Sequence, residues 1–285
     1  MYWLQRLQEP KFWLLGIAAA IATLHLTLVD RISNAELFAT SFLFWLAAGS
    51  LVWDKRHTLT LRSSATSSIL GACLLGLVLL RSTSLPDSNF FLRAVPFVSM
   101  LGLCLLASGA RKLRQYWKEL LIFGLLTLHP ALELLLQLLD LPTLTAKAAT
   151  FLLWYSGVDV QRQGVFLQLP TGRVEVYGAC SGLQSILQML NISVLFLLMV
   201  PVRPLQRLWC ISVAVLLGFV VNSARVSLMA ILVAFSQKNA FDYWHSGDGS
   251  LIFSMIAVLL FGGFCWLAFL RSSRKHLDEG AQANG

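Results

Sequence analysis

The stretch LWCISVAVLLGFVVNSARVSLMAILVAF, Leu208 to Phe235, runs for about 28 residues and carries one charged side chain, Arg225. An α-helix needs ~20 apolar residues to cross a hydrocarbon core. The stretch therefore reads as a membrane span that protrudes, tilts or breaks near Arg225. The rest of the chain reads the same way. Further apolar runs cover Phe12–Val29, Ala35–Trp53, Ala65–Leu80, Ala94–Ala110, Glu119–Asp140, Leu183–Val200 and Leu251–Leu270. The fold expected is an all-α polytopic membrane protein of about eight transmembrane helices.

Composition points the same way. Of 285 residues, 57% are hydrophobic and 13% charged, with a mean hydropathy of +0.71. That is too few charges to cover a water-facing surface. A net charge of +8 would suggest nucleic acid as a partner for a soluble protein. Here the basic residues cluster between apolar runs, which suits orientation in a bilayer and argues against nucleic-acid binding. With the N-terminus set in the cytoplasm, fourteen of the 22 Lys and Arg fall on the cytoplasmic side and seven outside, Arg225 being within a span. Eight spans with both termini inside satisfy that bias. The first run is followed by no Ala-x-Ala site and reads as retained, not cleaved. Residues 1–270 then form one integral-membrane domain, with spans over 12–140, an outer connection over 141–182 and further spans and loops over 178–270; residues 271–285 form a short cytoplasmic tail.

In the outer connection, Leu141 to Ser156 suggests an amphipathic helix at the interface. Val165, Leu167 and Leu169, then Val174 and Val176, alternate with other residues around Pro170-Thr171-Gly172. That pattern predicts a small β-hairpin, which delivers the chain to Cys180. Of the five cysteines, Cys73, Cys104, Cys210 and Cys265 fall in spans, where the thiol packs as a small apolar group. Cys180 alone faces outward, with no disulfide partner on its side and no metal-ligand spacing around it. Packing beneath the hairpin is one reading of it. The other comes from SGLQ, Ser181–Gln184, a capping-box pattern with Ser181 as N-cap. A thiol just before a helix N-terminus is stabilised as thiolate, and Gly178, Ala179 and Gly182 leave room for a substrate backbone.

Thiolate chemistry needs a proton shuttle and a group to hold developing negative charge. Arg225 lies about 25 Å along its helix from Leu208, near the outer surface, where it is either a snorkelling or ion-paired residue or a functional one. Asn222, three residues earlier, shares its face and is placed to orient the guanidinium. His245 in FDYWHSGDGSLIF is the histidine that this topology puts in an outer loop, flanked by Asp242 and Asp248. His129 and Glu133 are four apart on the fifth span, as support for a polar cavity or as intramembrane ionisable candidates.

Three quoted segments, ACSGLQS, NSARVSLMAIL and FDYWHSGDGSLIF, resemble the signature regions of the exosortase/archaeosortase family. EVYGACSG and YWHSGDGSLIFS are most similar to its cyanobacterial branch, the cyanoexosortases. The resemblance implies a multi-pass enzyme of the bacterial plasma membrane, with its site on the extracytoplasmic (periplasmic) face and without cofactor. It would be a cysteine protease or transpeptidase acting on exported proteins with a PEP-CTERM tail: a Pro-Glu-Pro motif, an apolar helix and a basic end. Carried over by position, Cys180 is the nucleophile, His245 the acid/base and Arg225 the oxyanion or substrate-positioning group. Ser181, Gly182, Asn222, Asp242, Asp248, His129 and Glu133 are supporting candidates. A rhomboid-type serine protease is excluded, since the Gly-x-Ser-Gly register begins here with Ala179. The rivals are a transporter with an Arg225/Glu133/His129 path, for which no inverted repeat is visible, and a non-catalytic scaffold.

Overall fold

The computed structural model describes residues 10–83, 89–245 and 249–271. Among these it contains ten α-helices and one three-stranded sheet, the all-α polytopic architecture expected. Seven helical segments are long and apolar enough to cross a membrane, and Leu183–Met199 is a shorter apolar helix of 17 residues. The tail expected over 271–285, apart from Arg271, and Asp248 fall outside the described residues. The chain divides into two compact units between Pro130 and Ala131.

The N-terminal unit holds α1 (Pro10–Arg31), α2 (Ala35–Asp54), α3 (Ala65–Ser82), α4 (Asn89–Ser108), a 3-10 segment (Ala110–Tyr116) and the first part of α5 (Trp117–Leu136). Asn34 and Ser64 cap α2 and α3 by accepting from Leu37 and Ser67 N–H. The fourth run therefore begins earlier than its hydropathy suggested, at Asn89. α3 and α4 touch backbone to backbone: a Cβ on Gly71 would lie 2.6 Å from the Gly102 carbonyl oxygen. Small residues allow such approach, which drives helix association where lipid offers no hydrophobic contrast. Ser41 Oγ and Ser99 Oγ are buried without a hydrogen-bond partner, but the ionisable groups of the core are paired. Trp45 Nε1 donates to His25 Nδ1 at 3.2 Å, so His25 Nε2 donates to the Leu92 carbonyl at 2.9 Å. Glu119, fully buried, is met by Lys55 Nζ at 2.7 Å, and Lys55 also donates to the Gln115 carbonyl. A buried carboxylate persists only with such a partner.

The C-terminal unit continues from the end of α5 through α6 (Leu141–Tyr155), β1 (Gln161–Gln163), β2 (Phe166–Leu169), β3 (Gly172–Glu175), a 3-10 turn (Gly178–Cys180), α7 (Leu183–Met199), α8 (Pro204–Ala234), α9 (Lys238–His245) and α10 (Gly249–Cys265) with a π-turn after it (Trp266–Leu270). Asp140 lies beyond α5 and caps α6 by accepting from Thr143 N–H at 3.3 Å. The expected hairpin is present with a third strand on it: β1 pairs with β2 and β2 with β3, both antiparallel, with Leu167 opposite Val174. α8 is one continuous helix of 31 residues, without a break at Arg225. Ala146, Ala149 and Leu153 of α6 pack with Leu167, Leu169 and Val176 of the sheet region against Val226 and Ala230 of α8. Thr171 Oγ1 ties the hairpin tip to the end of α8 by donating to the Ala234 carbonyl at 2.8 Å.

α7 and α8 touch backbone to backbone at Gly218, where an added Cβ would lie 2.9 Å from the Ser185 carbonyl oxygen. Gly262 of α10 has nothing within 4 Å of such a Cβ. Gly218→Ala should therefore lower the thermal transition in detergent, at a cost of about 1–3 kcal/mol for overpacking. Gly262→Ala should leave it unchanged or slightly raised.

Candidate active site

The site is built on the turn between the sheet and α7. Cys180 N–H donates to the Tyr177 carbonyl at 2.9 Å, closing a single 3-10 turn. The helix cap is Gly182, not Ser181: Gly182 has φ +87°, and no side chain caps it. The capping box expected of Ser181 and Gln184 is not formed. Ser181 Oγ instead turns back and donates to the Gly178 carbonyl at 2.6 Å, the competing local bond open to serine. Gln184 Nε2 reaches Glu133 Oε1 at 3.5 Å.

Two side chains hold the carbonyls of this turn. Asn222 Nδ2 of α8 donates to the Cys180 carbonyl at 2.9 Å, and Thr145 Oγ1 of α6 donates to the Ser181 carbonyl at 2.7 Å. Asn222 thus positions the backbone of Cys180, a different task from the guanidinium contact expected of it. Gly182 makes this possible twice over. Its left-handed conformation suits glycine, and a Cβ there would stand 2.9 Å from Asn222 Nδ2.

The three residues from distant parts of the chain meet. Cys180 Sγ lies 3.7 Å from His245 Nε2. Arg225, three residues along α8 from Asn222, donates from Nη2 to the backbone carbonyl of His245 at 2.7 Å. The carbonyl of the last α9 residue is a group left unpaired by its own helix, so Arg225 both satisfies it and fixes where the imidazole starts. Phe241 stacks on the ring, with centroids 5.1 Å apart and planes 14° from parallel. Arg225 Nε is buried without a hydrogen-bond partner. Beside it lies a void of about 20 Å³ bordered by Ser185, Gln188, Asn222, Ser250 and Ser254, large and polar enough for one water.

Sequence reading missed Tyr177. Its hydroxyl stands 3.5 Å from His245 Nε2. Period-two alternation placed it at the hairpin end and carried no further signal. Of the other candidates, Glu133 is met by Gln184, His129 is buried on α5 in the N-terminal unit, and Asp242 lies exposed on α9. Asp248 is outside the described residues.

Burial pushes the Cys180 thiol above the ordinary thiol range, while the Arg225 charge and the Tyr177 hydroxyl pull it back. The neighbouring Cys180 in turn pushes the Tyr177 phenol up. The upward direction runs against the helix-stabilised thiolate expected from the capping pattern. A cavity of about 260 Å³ opens from the pair, with Val226, Met229 and Val233 of α8 and Phe241 of α9 on one side and β3 on the other. A thiol, an adjacent imidazole, a fixed cation and an adjoining apolar cleft are the kinds of group that acyl-transfer chemistry uses.

Residues 32–262 match the family model described as transmembrane exosortase (Exosortase_EpsH). No curated protein and no solved structure matches the chain.

The thiol's raised pKa sets the direction of its reactivity. Alkylation of the Cys180 peptide by iodoacetamide, followed by mass spectrometry, should accelerate as pH rises past the usual thiol range. Arg225→Gln should move that rise to higher pH and slow alkylation severalfold at neutrality. Tyr177→Phe should act in the same direction.

Proposed function

The chain belongs to the transmembrane exosortase family, and on that premise we propose that it is a membrane cysteine peptidase or transpeptidase that removes the C-terminal sorting tail of exported proteins. The observation that carries the reading is the 3.7 Å approach of Cys180 Sγ to His245 Nε2 across 65 residues of chain. The site faces the extracytoplasmic side of the bacterial plasma membrane, both termini lying in the cytoplasm, a reading that the distribution of Lys and Arg supports. The substrates are PEP-CTERM proteins, and the likeness of EVYGACSG and YWHSGDGSLIFS to the cyanobacterial branch supports assigning the enzyme to it.

The reaction proceeds in two halves. His245 takes the proton from Cys180, and the thiolate attacks the scissile carbonyl carbon to form a C–S bond. Negative charge passes to the carbonyl oxygen, where the Arg225 cation stabilises it. The C–N bond then breaks, His245 gives its proton to the departing amine, and an acyl thioester remains on Cys180. A second nucleophile attacks that thioester, the C–S bond breaks and the sulfur is reprotonated. Water in this step yields a carboxylate, and an amine yields a transferred peptide. Tyr177 steadies the sulfur anion by donating its hydroxyl to it. The substrate's own apolar helix lies in the bilayer, so its scissile bond waits at the height of Cys180.

A transporter would need ionisable groups strung along a path. Glu133 is instead held by Gln184, and Arg225 by the His245 carbonyl.

A tagged PEP-CTERM precursor co-expressed with the enzyme should lose its tail, and Cys180→Ala should abolish that loss. Intact processing by Cys180→Ala would remove the nucleophile assignment. His245→Ala should slow cleavage on the order of 10²–10⁴-fold. Arg225→Lys, which keeps charge without the guanidinium geometry, should cost about 10²-fold or more.

A further inference from the structure

β3 is an edge strand, and its free side faces the cleft. The order of the sheet is β1-β2-β3. Val176 N–H donates to the Val165 carbonyl at 3.0 Å, which extends the β2–β3 ladder by one pair. Antiparallel alternation then turns the backbone groups of Gly172, Val174 and Val176 toward β2, and those of Arg173, Glu175 and Tyr177 away from it. Arg173, Val174, Glu175 and Tyr177 all border the cavity that ends at Cys180 and His245. The open donors and acceptors of the strand therefore line the approach to the thiol.

The strand is also held still. At its start, Thr171 is bonded to the end of α8, with donation to the Ala234 carbonyl at 2.8 Å. A Cβ on Gly172 would meet Val233 Cγ1 at 3.0 Å, so the tip sits directly on α8. Beyond its end, the Cys180 carbonyl is fixed by Asn222. A rigid exposed edge is a template for pairing with another extended chain.

We infer that β3 binds the substrate backbone as a fourth strand, with the segment just ahead of the scissile bond lying extended along it and running parallel to it. This rests on the peptide-cleaving function proposed above. The direction follows from α8. β3 starts beside Ala234, at the helix end farthest from the long apolar stretch Leu208–Val221, and leads toward Asn222 and Arg225. The exported body of the substrate must lie at the first end, and the chain descends from there to the thiol. In a parallel pair, one substrate residue donates its N–H to the Arg173 carbonyl and accepts at its own carbonyl from Glu175 N–H. The residue two further on donates to the Glu175 carbonyl and accepts from Tyr177 N–H. The residue between them turns its backbone away. Selectivity for a chain that is extended before the cut follows, because a helix has no free backbone groups to offer.

The test uses a synthetic peptide spanning the junction identified by mass spectrometry of the processed precursor, cleaved by the full-length enzyme in detergent. Single amide-to-ester replacements at successive positions ahead of the cut remove one N–H each with little change in bulk. Two positions, two residues apart, should lose roughly three- to tenfold in kcat/KM, as expected for one hydrogen bond each. The position between them should cleave as the parent does. Equal losses at neighbouring positions, or none, with the parent peptide cleaved normally, would overturn the strand pairing alone. A parent peptide left whole by enzyme whose Cys180 is alkylated normally would overturn the proposed function and this inference with it.

Discussion

The hydrogen bond from the Asn222 amide to the Cys180 carbonyl governs where the sulfur can be. A carbonyl at the edge of an apolar span, left unpaired, costs several kcal/mol, so the turn carrying Cys180 has to present it to a donor. The donor is close enough only because Gly182 bends into the left-handed region and carries no side chain. One helical turn further on, the same face of α8 offers Arg225 to the carbonyl of His245. A single rigid helix thus sets both halves of the thiol–imidazole pair through main-chain carbonyls. The continuity of α8 through this region is required by that arrangement: a break between Asn222 and Arg225 would uncouple the two positions.

Burial and charge act against each other on the sulfur. Burial favours the neutral thiol, and the guanidinium favours the anion. Burial is the larger effect, so the net direction is toward the neutral thiol. A permanently ionised, exposed cysteine would be oxidised readily, whereas in the proposed mechanism the sulfur hands its proton to an adjacent imidazole and is nucleophilic only as the reaction starts. The hydroxyl of Tyr177 and the stacked ring of Phe241 bound the imidazole on separate sides, which limits the orientations in which it can receive that proton.

Hydropathy made the architecture legible, because twenty apolar residues in a row have few alternatives. It also made Arg225 conspicuous, since a cation in such a run is costly without a purpose. Cys180 and His245 were legible through the quoted segments, and their meeting was implied by topology. Other features left weak traces. The strand Gln161–Gln163 is polar and exposed throughout, so no alternation marked it. The cap at Gly182 was obscured by Ser181, whose pattern with Gln184 fits a capping box that the chain does not form, because the serine bonds to Gly178 instead. The task of Asn222 could not be read from its helix face, since its partner is a backbone atom that sequence spacing does not locate.

α8 rises through 31 residues, which at 1.5 Å each is roughly 46 Å, against a hydrocarbon core of ~30 Å. About a third of it must stand clear of the acyl chains or lean within them. The helix is therefore a mast whose height above the lipid is set by the bilayer that surrounds it. In a thicker membrane Asn222 and Arg225 sink toward the acyl chains and take the thiol with them; in a thinner one they rise into the headgroups. Lipid composition thereby becomes a quantity this site experiences directly, through the depth at which its sulfur rides.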